Sequence, residues 1–244
     1  MQQHRIYTGQ PLQPGVVVIL EESPARHLTQ VLRLKAGAEI TLFNGDGHDY
    51  SARLNEVSRR ATSAQVDRCL EPAEAPAPLQ IHLAIGISRG ERMDFAIQKA
   101  VELGVADITP LITERCQVRL PGERQEKRLQ HWQQVIIAAC EQSGRRYIPA
   151  LNHVMELNEW LRHRVTRGGI LLDHRAESAL HELPPPSGEV TLLIGPEGGL
   201  SGDEREQATA TGFNGARLGP RVLRTETAPL AAIAAIQTLW GDFR

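Results

Sequence analysis

Along the first seventy residues, apolar and polar positions fall into short stretches that alternate with a period of two, the pattern of half-buried strands. "VVVIL" (16–20), the two arms of "EITLFNGDGHDYSARLNEV" (39–57) around the turn-rich "NGDGHD", and "TSAQVDRCL" (62–70) all read as strands. One short helix interrupts them, with Ser23 as N-cap, Pro24 in the first turn and "ARHLTQVLR" as its body. Several short strands with little helix predict a small β-barrel over 1–71. "EPAEAPAPLQ" (71–80) carries three prolines, and its extended, semi-rigid character places a linker over 72–79.

After the linker the period changes to alternating strands and helices, over 80–244. "IHLAIGI" (81–87) is a buried strand, and Ser88 with Glu91 forms a capping box for a helix with Met93, Ile97, Ala100 and Val101 on one face. Gly104 stops that helix and "DITPLI" (107–112) is the next strand. A long helix follows, with Leu129, Trp132, Ile136, Ala139 and Ser143 in a stripe and Gly144 as its stop. "GGILLDH" (168–174) and "EVTLLIG" (189–195) are strands. Ser201 and Glu204 form a second capping box, for a helix running to about Gly212. "ARLG" (216–219) reads as a short strand, and Thr227 caps a last helix that is apolar on nearly every side, hence buried or at a subunit interface. Repeated βα units predict an α/β domain with a mostly parallel sheet covered on both faces.

Composition narrows the class. The chain has 244 residues, 41% apolar and 23% charged, an ordinary globular balance. No apolar run reaches the ~20 residues that span a bilayer, and "MQQHRIYTGQ" lacks a signal h-region; the expectation is a cytoplasmic protein without membrane contact. Cys69, Cys116 and Cys140 are far apart with no Cys-x-x-Cys spacing, so neither a disulfide framework nor a metal is expected. A net charge of −2 does not announce nucleic acid.

In a parallel α/β sheet, ligands bind beyond the carboxyl ends of the strands. Three such ends carry unusual residues: "LLDHR" (171–175), "IGPEGGLSGDE" (194–204) and "LGPRVLRTETAP" (218–229). No Gly-Lys pair supports a Walker loop, and "GPEGGLSG" does not supply a dinucleotide fingerprint. Pro196 removes a backbone donor and Glu197 would repel a pyrophosphate. A ligand neutral or cationic at this loop suits it better. S-adenosylmethionine fits, with an adenosine to bury, no phosphate and a positive sulfonium; a plain turn without ligand is the alternative. In the third loop Arg221 and Arg224 suit RNA phosphate or a polarised carbonyl, the alternative being structural pairing with Glu197 and Glu226.

The stretches "SRGERMDFAIQKAVELGV" (88–105), "ITPLITERC" (108–116), "AACEQSGR" (138–145), "LLIGPEGGLSGDE" (192–204) and "LGPRVLRTETA" (218–228), with "HRIY" (4–7) and "HLTQVLRLKAGAEITLFNGDG" (27–47), resemble the RsmE family of 16S rRNA uridine-N3 methyltransferases, in the SPOUT class. The resemblance implies a PUA-like RNA-binding barrel followed by a SPOUT domain whose C-terminal part, about 168–244, forms a deep trefoil knot. It implies a homodimer paired through the knot helices. It also implies an S-adenosylmethionine site carried over to Leu172, Gly195, Gly198, Leu218, Gly219, Val222 and Leu223. For Glu197 two roles stand open, orienting an arginine or meeting the sulfonium side of the cofactor.

The implied reaction is methylation of N3 of one uridine in 16S rRNA of the small ribosomal subunit. Arg221 or Arg224 would stabilise the uracil anion, and Glu226 would accept the imide proton. Arg5, Arg26, His27, Arg33 and Lys35 of the barrel, and Arg145, are the RNA-facing candidates. Two rivals stand beside this reading. A non-catalytic RNA-binding or ribosome-assembly protein on the same fold would bind RNA without methyl transfer. An NAD-linked oxidoreductase would require the pyrophosphate fingerprint that is missing.

Overall fold

The computed structural model describes residues 4–58, 61–118, 121–163 and 169–243. Gly168, where the sequence begins its "GGILLDH" strand, lies outside the described residues, as do the chain ends at 1–3 and 244. Two compact units form: Met1–Pro76 with Cys140–Ile148, and Ala77–Ala139 with Pro149–Arg244. Among the described residues no helix is long and apolar enough to cross a membrane.

The first unit is built on β1 (Arg5–Tyr7), β2 (Val17–Ile19), α1 (Glu22–Arg26), β3 (Glu39–Phe43), β4 (Asp49–Val57) and β5 (Thr62–Leu70). They form one five-stranded sheet in the order β1-β3-β4-β5-β2. β1 pairs with β3 in parallel and the other neighbours are antiparallel. Alternation sends Ile40 and Leu42 of β3, Tyr50, Ala52 and Leu54 of β4, and Ala64 and Val66 of β5 into one core with Ile6, Val18 and Leu28.

Two local expectations are corrected here. Ser23 does not cap α1: the cap falls two residues earlier, at Glu21, whose carbonyl accepts the Ala25 N–H at 3.0 Å, and the helix begins at Glu22. Pro24 is tolerated in that first turn, where an N–H has no intrahelical acceptor. The expected helix over "ARHLTQVLR" also widens into a π-type turn over His27–Val31. The segment 140–148 joins this unit through hydrogen bonds. Arg5 donates to the carbonyl of Cys140 at 2.7 Å, and Glu141 accepts the Tyr7 N–H at 3.0 Å.

The second unit runs β6 (Gln80–Gly86), α2 (Glu91–Glu102), β7 (Asp107–Ile112), the long α3 (Glu123–Ser143), β8 (Ala150–Leu151), β9 (Met155–Glu156), α4 (Leu157–His163), β10 (Gly169–Leu172), β11 (Glu189–Ile194), α5 (Gly202–Ala210), β12 (Phe213–Ala216) and α6 (Thr227–Trp240). The sheet order is β12-β10-β11-β6-β7-β8, with β9 also on β7, and every ladder is parallel. Ala84, Leu111, Leu171 and Leu193 form one core with Leu157 and Leu161 of α4 and Ala208 of α5. The period of two then turns Leu83, Ile85, Leu192 and Ile194, all buried, to the opposite face. The expected α2 stripe of Met93, Ile97, Ala100 and Val101 is buried, and α2 packs on α6.

Three element ends differ from expectation, each because a distant or neighbouring group takes the role. Ser88 does not cap α2; its hydroxyl lies 3.0 Å from that of Thr225, and Gly90, with φ +51°, precedes the helix. Thr227 is the first residue of α6 and not its cap, since the Arg224 carbonyl already accepts the N–H groups of Thr227 and Ala228, both at 2.9 Å. The last strand lies at 213–216, not 216–219, because Gly169–Leu172 pairs with Phe213–Ala216. The Ser201–Glu204 capping box does form: Ser201 Oγ accepts the Glu204 N–H at 3.3 Å and Glu204 accepts the Ser201 N–H at 2.8 Å.

Candidate active site

β10, β11 and β12 are adjacent and parallel, so the chain segments leaving them emerge on one edge of the sheet. A cleft of about 450 Å³ lies there, inside the size range of small-molecule sites. Its walls include Leu172, Ile194, Leu200, Leu218 and Leu223, and its polar lining includes Asp173, Glu197, Arg221, Arg224 and Glu226. The loops after β10, β11 and β12 thus meet in one place, as the carboxyl-end rule requires.

The glycine loop after β11 is tight by necessity. Gly199 N–H donates to the Pro196 carbonyl at 2.8 Å, and Gly199 has φ +66°, a conformation that L side chains rarely adopt. A Cβ on Gly195 would sit 2.8 Å from the Leu200 nitrogen and 2.9 Å from the Gly199 carbonyl carbon, so no side chain fits there. Arg115 donates to the Gly198 carbonyl at 3.2 Å, and a Cβ on Gly198 would lie 2.9 Å from the Arg115 Cβ. Glu204, 5% exposed, accepts the Glu114 N–H at 2.7 Å and the Ser201 N–H at 2.8 Å, which joins the loop to the segment after β7.

Glu197 does not pair with the loop arginines. Its Oε1 accepts the Arg89 N–H at 3.0 Å and lies 3.5 Å from Arg92 Nη1, so this acid holds the turn that opens α2 while lining the cleft. Among the described residues, neither Arg221 nor Arg224 has an ion-pair partner; both are exposed at the cleft wall. Their structural pairing with Glu197 and Glu226 is therefore absent. Glu226 Oε2 is buried with no hydrogen-bond partner. A buried carboxylate oxygen without a donor is costly, which marks it as a place where a ligand donor or cation belongs.

Ten of the residues singled out in the sequence line this one cleft: Leu172, Gly195, Glu197, Gly198, Leu218, Arg221, Val222, Leu223, Arg224 and Glu226. Val222 is at the rim, 73% exposed, an apolar residue with nothing over it. Gly219, with φ +74°, does not line the cleft and acts through the turn it permits. Asp173, Arg175, Arg92 and Arg205 line it too and were given no role in the sequence. Asp173 lies 3.4 Å from Arg205 Nε. For Asp173 and Arg175 the available signal was placement, polar residues in "LLDHR" directly after a buried strand; Arg92 and Arg205 lie in α2 and α5, away from that stretch. Burial pushes the Cys116 thiol up, and the thiol donates to the Ile87 carbonyl at 3.2 Å; both disfavour the thiolate.

The site fits S-adenosylmethionine. Apolar walls suit an adenosine, and the orphaned Glu226 oxygen accommodates a donor or positive charge.

In the first unit, Arg26, His27, Arg33 and Lys35 are exposed along one short segment, and Arg33 has φ +52°, unusual for a side chain with a Cβ. Arg5 is turned inward, contrary to the RNA-facing expectation. Its guanidinium pairs with Asp49 at 2.8 Å, stacks 4.3 Å over the Phe43 ring, and donates to backbone carbonyls of 140 and 145. Arg145 is half-buried.

Comparison with known proteins agrees with this geometry. The RNA methyltransferase domain family matches residues 75–237, and the RNA methyltransferase PUA domain family matches 20–66. The chain is 36% identical over 239 residues to ribosomal RNA small subunit methyltransferase E of Buchnera aphidicola subsp. Schizaphis graminum, covering 98% of this chain and 97% of that one. Among solved structures, ribosomal RNA small subunit methyltransferase E of Neisseria gonorrhoeae, bound to S-adenosyl methionine, superimposes with TM-score 0.91 and 41% identity over 100% of both chains. A methyltransferase of Legionella pneumophila with SAM bound gives TM-score 0.95 at 41% identity over 100% of both chains.

Proposed function

The chain belongs to the RNA methyltransferase family, alongside the ribosomal RNA small subunit methyltransferase E proteins, and from that premise we propose that it transfers the methyl group of S-adenosylmethionine to N3 of one uridine in 16S rRNA. The observation that carries the reading is the cleft itself: two unpaired arginines and an orphaned carboxylate oxygen beside a tight glycine loop, at the carboxyl ends of a parallel sheet.

Leu172, Gly195, Gly198, Leu218, Val222 and Leu223 hold the cofactor, largely by apolar contact and backbone, and Gly219 sets the turn between them. Bound there, S-adenosylmethionine supplies a methyl group on a positively charged sulfur. Uracil N3 carries a weakly acidic proton that must leave before the nitrogen can react. Glu226 accepts it, and Arg224 or Arg221 stabilises the negative charge that spreads to O2 and O4. Glu197 keeps Arg92 and the start of α2 in place.

The first unit (1–71 in the sequence division, with 72–79 as linker) acts as a PUA-like barrel that holds RNA. Arg26, His27, Arg33 and Lys35 contact phosphates there, and Arg145 adds a contact from its own segment. The C-terminal part of the catalytic domain is knotted, and two chains pair through the knot helices. That pairing would cover Leu230, Ala231, Ala234 and Leu239 of α6, which are left partly exposed on an otherwise apolar helix. The protein works in the cytoplasm, where ribosomal subunits are assembled.

The test is incubation of purified small and large ribosomal subunits, from cells lacking this protein, with S-adenosylmethionine labelled on its methyl group. Label in small-subunit rRNA alone supports the proposal. RNA binding with no label in either subunit would favour the non-catalytic assembly reading.

A further inference from the structure

We propose that the first unit contains a zinc-type divalent-cation site, formed by His48 imidazole, Cys69 thiolate and Glu71 carboxylate. One ligand atom of each lies within 4.8 Å of the other two. Sheet register brings them together. β4 and β5 pair antiparallel with Tyr50 opposite Cys69 and Asp49 opposite Leu70. His48 and Glu71 are the residues just beyond the end of that ladder, and their side chains lie 3.8 Å apart. Tyr50 and Cys69, a cross-strand pair, share one face beside them.

The histidine is oriented for this role. Its Nε2 faces Glu71 Oε1 at 3.8 Å, while Nδ1 faces Asp46 Oδ1 at 3.7 Å. Asp46 is itself fixed: it accepts the His48 N–H at 2.9 Å and the Tyr50 hydroxyl at 2.8 Å. A carboxylate behind a ligating histidine fixes its tautomer and raises its basicity. The turn carrying both residues is built firmly, with Asn44 accepting the Asp46 N–H at 3.2 Å and Gly45 and Gly47 at φ +93° and +92°.

Nitrogen, sulfur and carboxylate donors in a three-ligand set with a fourth position open to water suit zinc, not the all-oxygen shells of calcium or magnesium. Around a tetrahedral ion with bonds of about 2.0–2.3 Å the ligand atoms stand closer together than they do here, so the side chains must close by roughly 1 Å. The Cys69 thiol loses its proton to solvent as the metal–sulfur bond forms. The nearby cation Arg146 is held by Asp49 at 3.0 Å and by the Pro72 carbonyl. Cysteine spacing gave no hint of such a site, because His48 just before β4 and Cys69 in β5 are 21 residues apart in sequence.

The test uses the full chain, stripped of metal with a chelator, and cobalt(II) as the probe. The expected result is a thiolate-to-cobalt charge-transfer band that saturates at one equivalent and is displaced by zinc. Cys69→Ser removes the band and Cys116→Ser leaves it. His48→Ala weakens cobalt binding at least about tenfold, and Asp46→Asn weakens it by about tenfold, as for other partners behind a ligand. Far-ultraviolet circular dichroism checks that each variant is folded. Zinc should raise the melting temperature of the parent protein clearly more than that of His48→Ala. No band in the parent, or a band indifferent to both Cys69→Ser and His48→Ala, overturns the site. So does a zinc-induced rise as large in His48→Ala as in the parent.

Discussion

The carboxylate of Glu197 accepts the backbone N–H of Arg89 at 3.0 Å, across 108 positions of sequence. This contact explains why an acid stands in a glycine-rich loop at a ligand site. The side chain turns toward the segment that opens α2, and it does so while forming part of the cleft wall. The loop after β11 is therefore held from outside as well as by its own turn.

Glu197→Ala should lower stability by about 1 kcal/mol, the net contribution of one typical hydrogen bond, since this one is solvent-exposed. Glu197→Gln keeps an acceptor for Arg89 and loses only the pair with the half-exposed Arg92, so it should cost clearly less. Thermal melts of the two variants measure this. Equal losses would show that the Arg89 contact contributes nothing.

Gly195→Ala places a Cβ 2.8 Å from the Leu200 nitrogen, which is backbone and cannot step aside cheaply. The turn must open. Affinity for S-adenosylmethionine, read by calorimetry, should fall at least about tenfold, a change of about 1.4 kcal/mol. Unchanged affinity would place the cofactor elsewhere.

Arg224→Ala should abolish methyl transfer while leaving cofactor affinity within severalfold, because Arg224 serves the uracil. Glu226→Gln keeps the shape of the side chain and removes the proton acceptor, with an expected rate loss of about 10²–10⁴-fold. Single-turnover kinetics beside cofactor binding separate the roles. Normal turnover in either variant removes that residue from the mechanism.

Alkaline pH should weaken the fold through Cys140. Burial pushes its thiol up to about 11 from the ordinary 9.0. Below the lower value both states hold the proton and the pH dependence is nil. Between the two, the unfolded chain loses the proton and the folded one keeps it, so stability falls as pH rises. A shift of this size amounts to about 2–3 kcal/mol by the upper end. Denaturant melts of the parent and Cys140→Ala across that range should show a flatter slope in the variant; matching slopes would contradict the assignment.

Sequence pattern was most legible where structure is local. Residues 62–70 and 107–112 alternate or cluster as strands do, and they are strands with those bounds. Ser201 and Glu204 are three apart and cap each other. The pattern misled where a distant group intervened. Ser88 has the spacing of a cap, but its hydroxyl meets Thr225, 137 positions away. Arg5 reads as a surface charge, but Asp49 and the carbonyls of 140 and 145 draw it inward. The residues 140–148, continuous with α3, join the first unit for the same reason, and no linear boundary anticipates that. The cleft was legible because its loops each follow a buried strand, while Arg205, on α5, joined it only when the fold set it 3.4 Å from Asp173.

The most direct measurement is the identity of the product nucleoside. Small subunits from cells lacking this protein are treated with it and S-adenosylmethionine, and the rRNA is digested and analysed by mass spectrometry. The expected product is a single new 3-methyluridine in 16S rRNA, absent when Arg224→Ala replaces the parent protein. Methylation on another atom or base, or no methylation by a protein that binds the cofactor tightly, would contradict it.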